Sequence, residues 1–285
     1  MSSAPEEVAL TPDAAVARAN LPSASSTGSG GPDPAPSRHP GLFRWFTYLI
    51  LFPLFFVATA IFGSVSLIAS LFDGTGRIEH SIAQAWGGVV LRIALSPVRV
   101  IGAENFQHGQ AAVYVSNHLS YMDTPVVLNK LPFQFRILAR HDLFKIPFIG
   151  WYLQRSGQIP VDSSSLRSTL ASLNRGVKAL QADMPLVIFP EGGRSHDGRL
   201  QDFLSGPAYM AIRAHVPIVP MALIGTHELM PMHTYHLNPR PLLLVVGAPI
   251  STAEYTSKTA DALTLRIRDT ITEMYMQHAD ENGCC

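Results

Sequence analysis

The sequence predicts an α/β fold: a central, largely buried β-sheet flanked by helices, preceded by an N-terminal membrane helix or helical hairpin. Three observations carry this. Short apolar runs rich in Val and Ile recur from about residue 110 onward. Stretches with apolar residues at every third or fourth position lie between them. One long run near the start has no charged residue.

The elements follow in chain order. Residues 1–40 are rich in Ala, Pro, Ser and Gly ("PSASSTGSGGPDPAPS"). Such a segment buries too little apolar surface to offset its ordering entropy, so a disordered tail is expected. Next comes the charge-free run "WFTYLILFPLFFVATAIFGSVSLIASLF", Trp45 to Phe72. A membrane span needs about 20 apolar residues. This run is longer, so it is expected to tilt, or to bend at Pro53 or Gly63. A hairpin dipping into one leaflet is the alternative, and a buried core helix is a third reading. Residues 41–75 are therefore assigned as a membrane-anchoring segment and 76–285 as the globular domain. Arg44 and Arg77 flank the run, so charge bias does not fix its orientation.

Beyond it, "IAQAWGGVVLRIAL" reads as a helix that is apolar on most faces. The runs "AAVYVS", "FRILAR", "GQIPVD", "PLVIFPEG", "VPIVPMALIG" and "LLLVVGAPI" read as strands buried on both faces. After "VDSSS", the spacing of Leu166, Leu170, Leu173, Val177 and Leu180 marks one face of a helix, with the serines as candidate caps. Leu263, Ile267, Ile271 and Met274 repeat the pattern. Strands alternating with helices argue for the α/β class.

Composition narrows the function. Charged residues make up only 15% of the chain and hydrophobic residues 47%. The charged share of a soluble domain is about 25%, so this chain leans toward bilayer contact. The formal net charge is zero, which gives no electrostatic support to nucleic-acid binding. The two cysteines, Cys284 and Cys285, are neighbours, so they cannot staple the fold. No metal-ligand spacing exists, and no metal site is expected.

Three stretches can carry chemistry. "SNHLSYMD" contains His118 and Asp123 directly after an apolar strand. Five residues along a helix rotate by about 500°, leaving the two side chains about 140° apart. The pair can meet only across a turn, and "DTPVV" supplies a helix start after one, with Asp123 or Thr124 capping and Pro125 in the first turn. A carboxylate on one imidazole nitrogen would leave the other free to take a proton from a hydroxyl. The alternative makes Asp123 a plain cap and His118 a polar loop residue.

"FPEGGRS", Phe189 to Ser195, also follows a strand. Glycines there permit close backbone approach to a ligand, and Arg194 can bind phosphate through two parallel hydrogen bonds. The adjacent Ser195, His196 and Asp197 cannot form a triad, because consecutive residues do not supply its geometry. In "RILARHDLFKIPFIGWYLQRSGQIPVD", Arg136, Arg140, Lys145 and Arg155 outnumber Asp142, with Phe144, Phe148, Trp151 and Tyr152 among them. Cations mixed with aromatic residues suit an anionic membrane interface.

The order H-x4-D, then G-x-I-x-V-D, then "FPEG-x-RS", then "VPIVPM", spread over Ala111 to Ile250, resembles the glycerolipid acyltransferase family. Lysophosphatidic acid acyltransferases are its best-known members. The resemblance implies a membrane-bound enzyme, on the cytoplasmic face of an inner membrane. It would pass an acyl chain from acyl-CoA or acyl-carrier protein to a lysophospholipid hydroxyl, without an acyl-enzyme and without a cofactor. It implies His118 as general base and Asp123 as its orienting partner. Glu191, Gly192 and Arg194 would position the acceptor, and Pro217 and Pro220 would lie near the acyl chain or thioester. Two positions differ from the family pattern: Gly193 stands where Thr is usual, and Ser163 stands where the second motif usually has Arg. Arg167, one helical turn on, is the candidate substitute, and Arg140 joins it as a candidate substrate-binding cation. Rival readings are an acyltransferase for another lysolipid, such as a lyso-ornithine lipid or lysophosphatidylcholine, a lipid ester or thioester hydrolase, and a non-catalytic membrane-binding module.

Overall fold

Side chains alternate across the strands, so each strand feeds two cores. Val113 and Val115 lie in one apolar cluster, Ala112 and Tyr114 in the other. The structure, a computed structural model, describes residues 41–146, 149–162, 164–232, 234 and 236–279. The tail expected over residues 1–40, together with Phe148, Ser163, Cys284 and Cys285, lies outside the described residues.

Seven strands form one sheet: β1 (Val98–Ile101), β2 (Val113–Ser116), β3 (Arg136–Arg140), β4 (Ile159–Val161), β5 (Leu186–Ile188), β6 (Ile218–Ile224) and β7 (Leu242–Val246), in the order β1-β7-β6-β2-β5-β3-β4. The five strands from β6 to β4 run parallel. β7 pairs antiparallel with β6, and β1 follows β7 in parallel. The sheet is therefore mixed. The apolar runs locate six of the seven strands. β1 escapes them because the outward-facing Arg99 breaks its short apolar run, and β3 and β4, expected to be buried on both faces, are only half-buried near the other edge of the sheet.

Helices cover both faces. Residues of α3 (Arg77–Ile93) and α4 (Asp123–Lys130) fill one cluster. Residues of α6 (Leu166–Gln181), α7 (Gly206–Ala214) and α9 (Ala260–Ala279) fill the other. Shorter helices α5 (Ile149–Arg155) and α8 (Thr226–Leu229) follow β3 and β6. Ser165 caps α6 reciprocally with Ser168, as the serine run suggests.

The N-terminal apolar run is one continuous helix, not a hairpin. α1 (Gly41–Phe46) passes through a π-helical turn, Thr47–Leu51, into α2 (Phe52–Ala69). The disturbance falls one turn before Pro53. Proline lacks an N–H and crowds the carbonyl four residues earlier, and a π-turn relieves both effects. Gly63 stays inside α2. The helix Phe43–Ala69 is 27 residues long with mean hydropathy 2.2, long and apolar enough to cross a membrane, and only 17% of its most apolar window is buried. One stripe is nevertheless docked. Leu51 belongs to the α3/α4 cluster, the Phe55 ring lies 6.3 Å from Trp86, and Trp86 Nε1 donates to Thr59 Oγ1 at 3.2 Å.

The carboxyl ends of the five parallel strands share one edge of the sheet. Ligand sites of open α/β sheets form at that edge.

Candidate active site

β2 ends at Ser116, and the next residue fixes the chain's direction. Asn117 is fully buried. Its Nδ2 donates to the Leu223 carbonyl at 2.9 Å, and its Oδ1 accepts from Leu223 N–H at 2.7 Å. This two-way clamp to β6 holds the start of the turn that carries His118.

The turn is organised around a single carboxylate oxygen. Asp123 Oδ2 accepts from His118 Nδ1 at 2.8 Å, from Leu119 N–H at 2.7 Å and from Ser120 N–H at 2.8 Å. Asp123 is the first residue of α4, yet its carboxylate reaches back into the turn rather than capping the helix; the cap position belongs to Met122, with no side-chain hydrogen bond. The five-residue spacing closes across the turn, which a helix would not allow. Pro125 stands in the first turn of α4. Because Oδ2 can only accept, the proton of the pair is assigned to Nδ1, which leaves Nε2 with a lone pair. Asp123 is fully buried and the His118 side chain is 19% exposed, so the imidazole, unlike its carboxylate partner, is reachable from outside.

The loop after β5 clasps this turn. The His118 backbone N–H donates to Glu191 Oε1 at 3.1 Å, and its carbonyl accepts from Ser195 N–H at 3.0 Å. The imidazole stacks on Phe189 with centroids 4.2 Å apart and planes 20° apart. Burial pushes the Glu191 carboxyl up to about 8, against the lowering effect of the His118 N–H and with the help of the Asp123 charge. Glu191 is therefore mostly a neutral acid at pH 7, and its buried Oε2 has no partner among the described residues. Gly192 follows with φ 71°, a left-handed conformation that favours glycine. Gly193 needs no such freedom, and a Cβ there would meet open space, so nothing in the structure explains the missing Thr. Arg194 lies over the Tyr121 ring. Ser195 Oγ donates to Asp197 Oδ1 at 2.9 Å, closing a local turn.

His118, Asp123, Glu191, Gly192 and Arg194 thus come together. Arg140 and Arg167 reach only the rim. Arg140 ends β3 and pairs with Asp142 at 2.9 Å, and Arg167 is exposed in the first turn of α6. Both sit at the carboxyl-end edge, but β3 and β4 are two and three strands from β2, roughly 10 and 14 Å away. Pro217 and Pro220 do not join the group. β6 runs parallel to β2 with Val113 opposite Ile218, so Pro217 lies at the far end, accepting from Val113 N–H at 3.0 Å. Pro220 is buried inside the sheet beside Val115. The apolar "VPIVPM" is a core strand, and its prolines serve the sheet rather than the cleft. Sequence reasoning missed Asn117, Tyr121 and the stacking role of Phe189. An aromatic residue inside the H-x4-D turn was the one visible signal.

Comparison with known proteins identifies the family and the fold. The family model described as Acyltransferase matches residues 97–224. The 1-acyl-sn-glycerol-3-phosphate acyltransferase of Limnanthes douglasii is 32% identical over 194 residues, covering 68% of each chain. The chloroplastic 1-acyl-sn-glycerol-3-phosphate acyltransferase LPAT1 of Arabidopsis thaliana is 31% identical over 262 residues, 90% of this chain and 71% of that protein. The crystal structure of the 1-acyl-sn-glycerophosphate acyltransferase PlsC from Thermotoga maritima shares the fold, with TM-score 0.70 and 22% identity over 81% of this chain and 94% of that one. The ordered motifs, the α/β fold and these relatives lead to one conclusion: the chain belongs to the acyltransferase family of the 1-acyl-sn-glycerol-3-phosphate acyltransferases.

Proposed function

We propose that the protein transfers an acyl group from acyl-CoA or acyl-carrier protein to the sn-2 hydroxyl of lysophosphatidic acid, giving phosphatidic acid. The observation that carries this is the Asp123 oxygen shared by His118 Nδ1 and two turn N–H groups, which sets the imidazole as a base. His118 Nε2 takes the hydroxyl proton as the oxygen attacks the thioester carbonyl. Asp123 stabilises the imidazolium that forms. The tetrahedral intermediate collapses, the C–S bond breaks, and the thiolate recovers the proton from His118. Glu191 and Gly192 shape the loop that presents Arg194 to the acceptor's phosphate, with Arg140 and Arg167 as outer cations. The thioester is a co-substrate, and the reading calls for no other cofactor. The exposed face of the Phe43–Ala69 helix lies in the bilayer, with the catalytic domain on the cytoplasmic side of an inner membrane.

Ser163, at the place of the usual motif Arg, favours a second reading in which another lysolipid is the acceptor. Purified protein with labelled acyl-CoA and a panel of lysolipids decides between them. Phosphatidic acid is the expected main product. Preferential acylation of lysophosphatidylcholine or a lyso-ornithine lipid would replace the acceptor, and free fatty acid without acylated lipid would make the protein a hydrolase.

A further inference from the structure

Arg194 is held by its face, not by its edge. Its Cζ sits 3.3 Å above the centroid of the Tyr121 ring. Its Nη1 is buried without a hydrogen-bond partner among the described residues. A guanidinium carries its five N–H donors around a planar edge and leaves its two faces bare. A carboxylate partner would occupy that edge, whereas a stacked ring takes a face and leaves the donors free. The carboxyl three residues earlier is not used: Glu191 Oε1 accepts from the His118 backbone, and Oε2 is unpartnered.

The ring is anchored to the same turn as the base. Leu119 and Ser120 N–H bind Asp123, Met122 N–H donates to Ser120 Oγ at 3.3 Å, and Ser120 Oγ donates to the Met230 carbonyl at 2.9 Å. Tyr121 lies inside this braced segment, three residues after His118, yet it is 59% exposed. It contributes little to the core, and its face is covered by the cation.

We propose that Tyr121 is a positioning residue: its ring is the platform that holds Arg194 with a free hydrogen-bonding edge for the acceptor's phosphate, at a separation from His118 set by their shared turn. This rests on the reading of Arg194 given above. It makes the turn a specificity device, selecting acceptors by the distance between their hydroxyl and their phosphate.

The test compares Tyr121→Leu, Tyr121→Phe, Arg194→Ala and the double variant Tyr121→Leu/Arg194→Ala. KM for lysophosphatidic acid, KM for the thioester and kcat are measured separately. Tyr121→Leu is expected to raise acceptor KM roughly three- to thirtyfold and leave donor KM unchanged, while Tyr121→Phe, which keeps the ring, stays within about twofold. The double variant should be no worse than Arg194→Ala. An unchanged acceptor KM in Tyr121→Leu, beside a raised one in Arg194→Ala, overturns the platform alone. So does a full additional loss in the double variant. An unchanged acceptor KM in Arg194→Ala removes the phosphate reading and the platform with it. Should Tyr121→Leu misfold, the Arg194 Nε–H resonance of the wild type decides: an upfield ring-current shift, kept in Tyr121→Phe, is expected, and its absence in the folded protein rejects the stack.

Discussion

One oxygen of Asp123 organises the turn and orients the His118 imidazole, so the two residues should fail differently under the proposed mechanism. His118→Ala removes the proposed base with its Phe189 stack but leaves both turn N–H bonds to Asp123, and its rate should fall by about 10²–10⁴-fold with the fold intact. Single-turnover rates with circular dichroism check this, and retention of a tenth of the activity would remove His118 from the role. Asp123→Asn keeps the shape but presents no charge to an imidazolium, so it should lose rate and also some stability, because two turn N–H groups lose a charged acceptor. Glu191 gives a pH signature. Its carboxyl is raised to about 8 by burial, so the folded state holds a proton that the unfolded state releases. Between about pH 4.5 and 8 the unfolded chain binds fewer protons than the folded one, and stability falls as pH rises. Melting temperatures of the wild type should therefore drop across that window relative to Glu191→Gln, and parallel curves would show that the carboxyl titrates normally. The spacing of His118 and Asp123 made this pair legible in the sequence, since both partners lie in one turn. Asn117 was illegible for the opposite reason: its partner is 106 residues away, on another strand.

At the scale of elements, the strands were legible where apolar residues run on without a break and illegible where a charge interrupts them: β3 and β4 are only half-buried, yet "ILA" and "IPV" mark them. A run such as "AAVYV" has no polar face to confuse it, but the half-exposed β1 has one. Direction was not legible either, because a buried strand reads the same in both senses, and β7 is reversed. Joints between elements hide still better. Arg136 at the start of β3 and Glu79 in α3 are both buried, and Arg136 Nη2 donates to the Thr75 carbonyl at 3.0 Å. Burial holds the guanidinium's pKa below its ordinary value, and Tyr152, then Glu79 and Asp73, offset only part of that. Both Glu79 oxygens lack a hydrogen-bond partner among the described residues, so Arg136 offsets their charge through space. Arg136→Met should destabilise the protein by about 1.5–3 kcal/mol through the lost charged hydrogen bond, and more through the stranded carboxylate. Adding Glu79→Gln should return part of that loss. Urea unfolding of the three proteins measures it, and a double variant no more stable than Arg136→Met would show that the two charges do not interact.

At the scale of the whole molecule, the apolar helix has one face docked on the domain and one face exposed. Hydropathy could find the helix but not the division, because core and lipid tails are equally apolar. Phe55 packs on Trp86, and Leu51 and Ala58 are buried. Phe56, Ile61, Val65 and Ile68 are exposed. Charges on the two faces should therefore have opposite consequences. Phe56→Asp and Ile61→Asp together should leave the melting temperature in detergent and the acyl transfer to solubilised acceptor near wild type. They should release the protein from vesicles, since a charge near the bilayer centre costs about 2.5–3.5 kcal/mol and two shift partitioning by more than roughly 10³. Phe55→Asp should instead lower the melting temperature, because it places a charge against Trp86 and the α3/α4 core. Flotation on anionic liposomes at low and high salt reads out the membrane side. The doubly substituted protein should keep a salt-sensitive remnant of binding through Arg140, Lys145 and Arg155, exposed beside Phe144 and Trp151, at about 1 kcal/mol per cation near the surface. If the Phe56 and Ile61 changes lower the melting temperature as far as Phe55→Asp does, both faces are packed against protein. If they leave high-salt flotation intact, the bilayer is gripped elsewhere, and the exposed face of this helix is not the anchor.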